Sequence, residues 1–177
     1  MQHNNSIKTT LYIVTNENKI RIYKITQKYP ILMNYQLNAG SAGIIDAGIS
    51  LQLLVNRMVS SLTDISIRNR ISVVNEVSGG IQVVADKIKI VAIIEELLTT
   101  VIANARNSKI YVTADRFRDS VILNIQDQNN NNGYALEFSV MTIESEINEA
   151  GGSLTIDGKQ KKVATISFSF QNYAAAS

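Results

Sequence analysis

The sequence lacks cysteine and tryptophan, and it has one proline and one histidine in 177 residues. Without cysteine there is no disulfide, no thiolate metal site and no thiol nucleophile. The single histidine, His3, lies in the polar run "MQHNNSIKTT", which removes most of the usual acid–base vocabulary. Charge is also scarce: 18% of residues are Asp, Glu, Lys or Arg, with 17 basic against 15 acidic. No basic cluster goes beyond Lys159, Lys161 and Lys162, so the chain does not read as a nucleic-acid binder, which needs a concentrated basic patch. No window approaches the roughly 18 apolar residues of a membrane helix, and the N-terminal run has no apolar core of signal-peptide length. The expectation is a cytoplasmic protein with no membrane partner.

What is present is a core. Hydrophobic residues make up 45% of the chain, and its length suits one buried domain with an additional element. From about Lys8 to Leu37, "TLYIVT", "KIRIYKIT" and "ILMNYQL" alternate with the strand period and predict two or three antiparallel strands. The patch "NAGSAGIIDAG" then marks a change of structure. From about Asp46 to Leu62, apolar residues including Leu53, Met58 and Leu62 predict a helix packed by one face. "NRISVVNEVSGGIQVVAD" predicts two short strands joined at Gly79 and Gly80, and the clearest helix follows Asp86, with Ile90, Ile94, Leu97, Val101 and Ala105 at helical spacing.

"KIYVTADRFRDSVILNIQD" predicts a hairpin turning near "DRFRD". The polar run Gln128 to Asn132 predicts a loop, since Asn competes for its own backbone and tolerates turn conformations. A helix from about Leu136 to Ala150 and a hairpin turning around Asp157 and Gly158 complete the order. The predicted architecture is α/β (α+β): a two-layer sandwich, a mixed sheet with helices on one face, plus an N-terminal strand extension. The boundaries read as a β-rich extension over residues 1–45, a domain over 46–171 and a frayed tail over 172–177.

Three motifs in this order resemble the histidine-kinase-like ATPase superfamily, the ATP-binding fold of sensor kinases, gyrase and Hsp90-type proteins. They are "VVADKIKIVAIIEELLTTVIANA", "ILNIQD" and "GGSLTI…VATISFSF", covering about Ile49 to Phe170. The resemblance implies ATP or ADP with magnesium as ligand. An Asn carbonyl is a fitting hard oxygen ligand for magnesium, and Asn104 takes that place; a helix-ending role is the competing reading. Asp127 matches the Asp that accepts from the adenine amino group, against an ordinary turn-starting Asp. Thr165 matches the Thr that helps to hold the base, against a β-branched strand filler.

Other positions depart from the family. Thr100 stands where the family has Asn or Glu, so a water-activating base is lost. Asn107 replaces a phosphate-directed Lys or Arg, leaving Arg106 or Lys109 as substitutes or as solvated charge at a helix end. "DQNNNN" replaces a glycine-spaced segment, and the stretch before the next helix, with Gly133 as its one glycine, is too short to wrap a triphosphate as a long lid loop would. The expected function is therefore a degenerate member of the fold, a regulatory or interaction module in signalling with a protein partner and no histidine autophosphorylation. The alternatives are a lidless ATP- or ADP-binding domain acting on a separate protein, and a homodimer paired through the N-terminal strands. A vestigial pocket would need no cofactor.

Overall fold

The computed structural model describes the backbone of residues 11–14 and 20–23, and residues 48–131 and 133–173 apart from the Tyr134 side chain. The chain divides into two compact units, Met1–Gly40 and Ser41–Ser177. In the first, β1 (Leu11–Val14) pairs antiparallel with β2 (Ile20–Tyr23), as the alternation of "LYIV" and "IRIY" predicts. The third predicted strand, "ILMNYQL", lies outside the described residues.

The second unit has a five-stranded sheet in the order β4-β6-β7-β9-β8. These are β4 (Ser72–Asn75), β6 (Lys109–Phe117), β7 (Ser120–Asp127), β9 (Ala164–Gln171) and β8 (Ser153–Asp157). Only the β4–β6 pair is parallel, so the sheet is mixed, as expected. A two-residue ladder joins β3 (Ile49–Ser50) to β5 (Gln82–Val83). The helices are α1 (Leu51–Ser61), α2 (Thr63–Asn69), α3 (Lys87–Asn104), α4 (Gly133–Met141) and α5 (Glu144–Glu149).

The core lies between α3 and the inner face of the sheet. Along β7, Val121, Leu123, Ile125 and Asp127 are buried while Ile122, Asn124 and Gln126 are half-buried, so alternation assigns the two faces directly. Ile166, Phe168 and Phe170 of β9 and Ile110 and Val112 of β6 share the inner face, and the two phenylalanine rings stack 5.2 Å apart. Above them α3 buries Ile90, Ile94, Leu97, Leu98, Val101 and Ile102. Its apolar positions extend beyond a single stripe because sheet and neighbouring helices both cover it.

Five features differ from expectation. The helix expected from about Asp46 begins at Leu51, after β3, and is capped by Ser50, whose hydroxyl accepts from Leu53 N at 3.4 Å. The chain turns at Leu62 and continues as α2, which the sequence reading did not foresee. The two strands around Gly79 and Gly80 do not pair with each other: β4 joins the large sheet and β5 the small ladder. The helix expected from Leu136 to Ala150 starts at Gly133 and breaks after Met141 into α4 and α5, with Val140, Ile143 and Ile147 still buried. Asn172, placed by the sequence reading in the tail, is buried. Its Nδ2 donates to Gln82 O at 2.7 Å and its Oδ1 accepts from Val84 N at 2.8 Å, which fastens β5 to the end of β9.

Candidate functional site

The candidate residues converge on one end of the sheet, where β7 finishes, β6 and β9 begin, and α3 terminates. Asp127 closes β7 on the inner face and is only 4% exposed. Burying a carboxylate is costly unless its oxygens accept hydrogen bonds. Here Oδ1 accepts from the hydroxyl of Ser108, itself buried, and from Asn129 N at 3.0 Å. Ser108 Oγ also accepts from Asn129 N at 3.0 Å. The serine hydroxyl and the loop amide thus both fall on Oδ1 of the carboxylate.

Asn104 is the last residue of α3, and its Nδ2 donates back to the Thr100 carbonyl at 2.8 Å, one turn earlier. The pair Thr100 and Asn104 is therefore brought together, through the backbone of the threonine. The helix end is capped from elsewhere: Asn69 Nδ2 donates to Ile102 O at 3.1 Å and Ala103 O at 3.4 Å. Arg106 folds onto the same terminus, with Nη1 at 2.6 Å from both the Ala103 and Ala105 carbonyls, a favourable place for a cation beside a helix C-terminus. Lys109 sits over the Tyr111 ring, 4.7 Å from its centroid.

Thr165 does not join Asp127. In the β7–β9 register Asp127 lies opposite Ala164, and Thr165 lies opposite Gln126. Paired residues share a face, so Thr165 is on the outer side of the sheet, where its hydroxyl accepts from Gln126 Nε2 at 3.2 Å. The residue beside Asp127 on the inner face is Ala164, 2% exposed and without a hydroxyl. A shift of one residue along a strand exchanges faces, and a motif match in sequence does not fix that parity.

The short loop after β7 is tied on both sides. Asn129 Nδ2 reaches the carbonyls of Arg106 and Asn107 at 3.4 and 3.2 Å. Asn130 Nδ2 reaches those of Lys159 and Lys161 at 3.2 and 3.1 Å, and Asn130 N donates to Lys162 O at 2.7 Å. Gly133 then begins α4 against the β8–β9 loop, where a Cβ would overlap the Lys159 carbonyl. Lys159 forms an ion pair with Glu137 on α4. The run of asparagines carried the signal for these ties, because side-chain amides demand partners; the identity of those partners, some 20 to 30 residues away in the chain, was not legible.

Of the two acceptors the resemblance implies for the base, Asp127 is engaged by Ser108 and Asn129, and Thr165 is on the other face. Among the described residues no group of three or more His, Cys, Asp or Glu could hold a metal ion, and no helix is long and apolar enough to cross a membrane.

Solved structures share this architecture. The chain is similar to the histidine kinase AdeS of Acinetobacter baumannii, with a TM-score of 0.60 and 12% identity over 82% of this chain and 74% of that one. It is similar to the catalytic domain of histidine kinase ThkA in a nucleotide-free form, with a TM-score of 0.57 and 14% identity over 72% of this chain and 97% of that one. The fold is histidine-kinase-like. Full-length ShkA, solved in complex with AMPPNP, aligns over 80% of this chain and 34% of its own, with a TM-score of 0.59 and 14% identity. No family model and no curated protein matches the sequence. The histidine-kinase-like ATPase fold expected from the three motifs is therefore the one observed, although the identities reach only the level at which architecture is shared.

Proposed function

We propose that this chain is a degenerate histidine-kinase-like ATP-binding domain, acting as a regulatory or protein-interaction module in signal transduction without histidine autophosphorylation. The observation that carries this reading is the state of Asp127, whose carboxylate accepts from Ser108 and from the loop amide of Asn129. Both donors fall on Oδ1, so a base would have to share that oxygen or reach Oδ2 of a side chain that is only 4% exposed. Support also comes from Ala164 in place of a base-holding hydroxyl and from a loop too short to enclose phosphates.

A thermal-shift titration with ATP, ADP and adenosine, each with and without magnesium, tests this. A ligand at 100 times its dissociation constant stabilises the folded state by about 2.7 kcal/mol, a visible rise in Tm. The expected outcome is no shift at millimolar nucleotide. A rise with ATP and magnesium that Asp127→Asn abolishes would overturn the proposal in favour of a second reading, a lidless ATP- or ADP-binding domain serving a separate protein. That second reading is favoured by one finding, the AMPPNP complex of ShkA on the same fold.

A further inference from the structure

Charge is segregated within the second unit. The loop Gln128–Asn130 touches the backbone of five basic residues: Gln128 N donates to Lys109 O at 3.1 Å, Asn129 Nδ2 to Arg106 O, Asn130 Nδ2 to the carbonyls of Lys159 and Lys161, and Asn130 N to Lys162 O. Arg70 joins them, because the carbonyl of the preceding Asn69 accepts from Asn107 N at 2.9 Å. These six basic residues are accompanied by three acidic ones, Asp127, Glu137 and Asp157, an excess of three positive charges. The rest of residues 48–173 holds six basic and ten acidic residues, an excess of four negative charges. The sequence conceals this because the cations come from three separate segments, at Arg70, at Arg106 and Lys109, and at Lys159, Lys161 and Lys162.

The positive end is accessible. Arg70, Arg106, Lys109, Lys161 and Lys162 are exposed, whereas Asp127 is buried, Glu137 is paired with Lys159, and only Asp157 of the three acids is exposed. Arg106 and Lys109 are also partly ordered, on the α3 carbonyls and the Tyr111 ring, so less side-chain entropy remains to be lost on contact. Asn131 lies exposed among them.

We propose that this rim of cations around the Gln128–Asn131 loop is the docking surface for an acidic protein segment. This rests on the reading of the chain as a protein-interaction module and names the chemistry of its partner. Dispersed cations around a polar loop suit carboxylates spaced along a polypeptide, which they attract over a Debye length and then pair with individually. Among the described residues the Tyr111 ring at the rim carries Lys109 on its face, which leaves it less open to a stacking base.

The test is fluorescence anisotropy with a labelled glutamate-rich peptide of about 20 residues, read at roughly 50 and 300 mM salt, because screening shortens the reach of surface charge. Binding should be measurable at the lower salt and weaken at the higher. Lys161→Glu with Lys162→Glu should reduce affinity roughly tenfold or more, and Arg106→Glu with Lys109→Glu should do the same. Arg116→Glu with Arg118→Glu, an equal charge change in the distant β6–β7 turn, should stay within about twofold. Circular dichroism melts identify any variant that fails to fold, and the Lys161 and Lys162 pair is chosen because both side chains are exposed.

Absence of peptide binding overturns the proposal, as does equal weakening by the β6–β7 pair. Tighter binding of a single-stranded oligonucleotide of the same length would assign the rim to nucleic acid instead. Salt-sensitive self-association in sedimentation, abolished by the rim substitutions, would make a second copy of this chain the occupant. The nucleotide titration is a separate readout: stabilisation by ATP would overturn the degenerate reading and leave the peptide result intact, while failed peptide binding would leave nucleotide silence standing.

Discussion

At Gly133 the backbone of α4 comes so close to the β8–β9 loop that any side chain would meet the Lys159 carbonyl. Gly133→Ala should therefore destabilise the fold by about 1–3 kcal/mol, read as a lower urea midpoint with an unchanged slope, and a neutral result would mean that the loop gives way easily. Asn69 bears on a different contact, the carbonyls at the end of α3. Asn69→Ala leaves those carbonyls short of a donor in a largely buried place, at a cost of about 1–3 kcal/mol in the same measurement. The sequence marked Gly133 and passed over Asn69, because a glycine is a local signal and a cap supplied from 33 residues away is not. Asp127 was legible as a strand-ending acid, and its partner Ser108 was not, for the same reason. Thr165 was the misplaced one: the motif suggested a neighbour of Asp127, and the strand pairing puts it opposite Gln126.

Among the elements, α3 and the strands β6, β7 and β9 were the most legible, since each has a sustained apolar period and each is buried accordingly. Leu98→Ala removes a fully buried side chain from the middle of α3 and should cost about 2–5 kcal/mol, measured by chemical denaturation. The paired helices α1–α2 and α4–α5 were harder. Neither break contains proline or glycine; the chain turns at Leu62 and again between Met141 and Glu144, where packing rather than local propensity decides. The loop after β7 has its own expectation. Asn129→Ala with Asn130→Ala removes its side-chain ties, so hydrogen exchange at residues 128–133 should accelerate by tenfold or more, corresponding to at least about 1.4 kcal/mol of local stability. Unchanged exchange would show that the backbone bonds from Gln128 and Asn130 hold the loop without the amides.

Within the second unit, helices and sheet share one core, with Leu98 on one side and Phe168 on the other. Leu98→Ala and Phe168→Ala should accordingly accelerate hydrogen exchange in α3 and in β7 alike; acceleration confined to the layer that carries the substitution would mean that the two layers open independently. The layer order of this unit was readable because helices and strands alternate in a recognisable sequence. Its charge segregation was not, since only the fold gathers the cations. The register of β9 also sets how far this site stands from repair. Ala164 leaves a single inward position beside Asp127 without a hydroxyl, and Asn129 supplies the amide that occupies the carboxylate. Ala164→Thr alone adds atoms to a closed wall and should only destabilise. Combined with Asn129→Gly, which removes the side-chain ties of the loop and keeps its backbone amide, it adds a hydroxyl beside Asp127, and on the proposed reading adenosine should raise Tm more than in the parent chain. If it does, the proposed closure of the site rests on these two positions; if it does not, the proposed closure extends into the rest of the wall and is not reversible at these two positions.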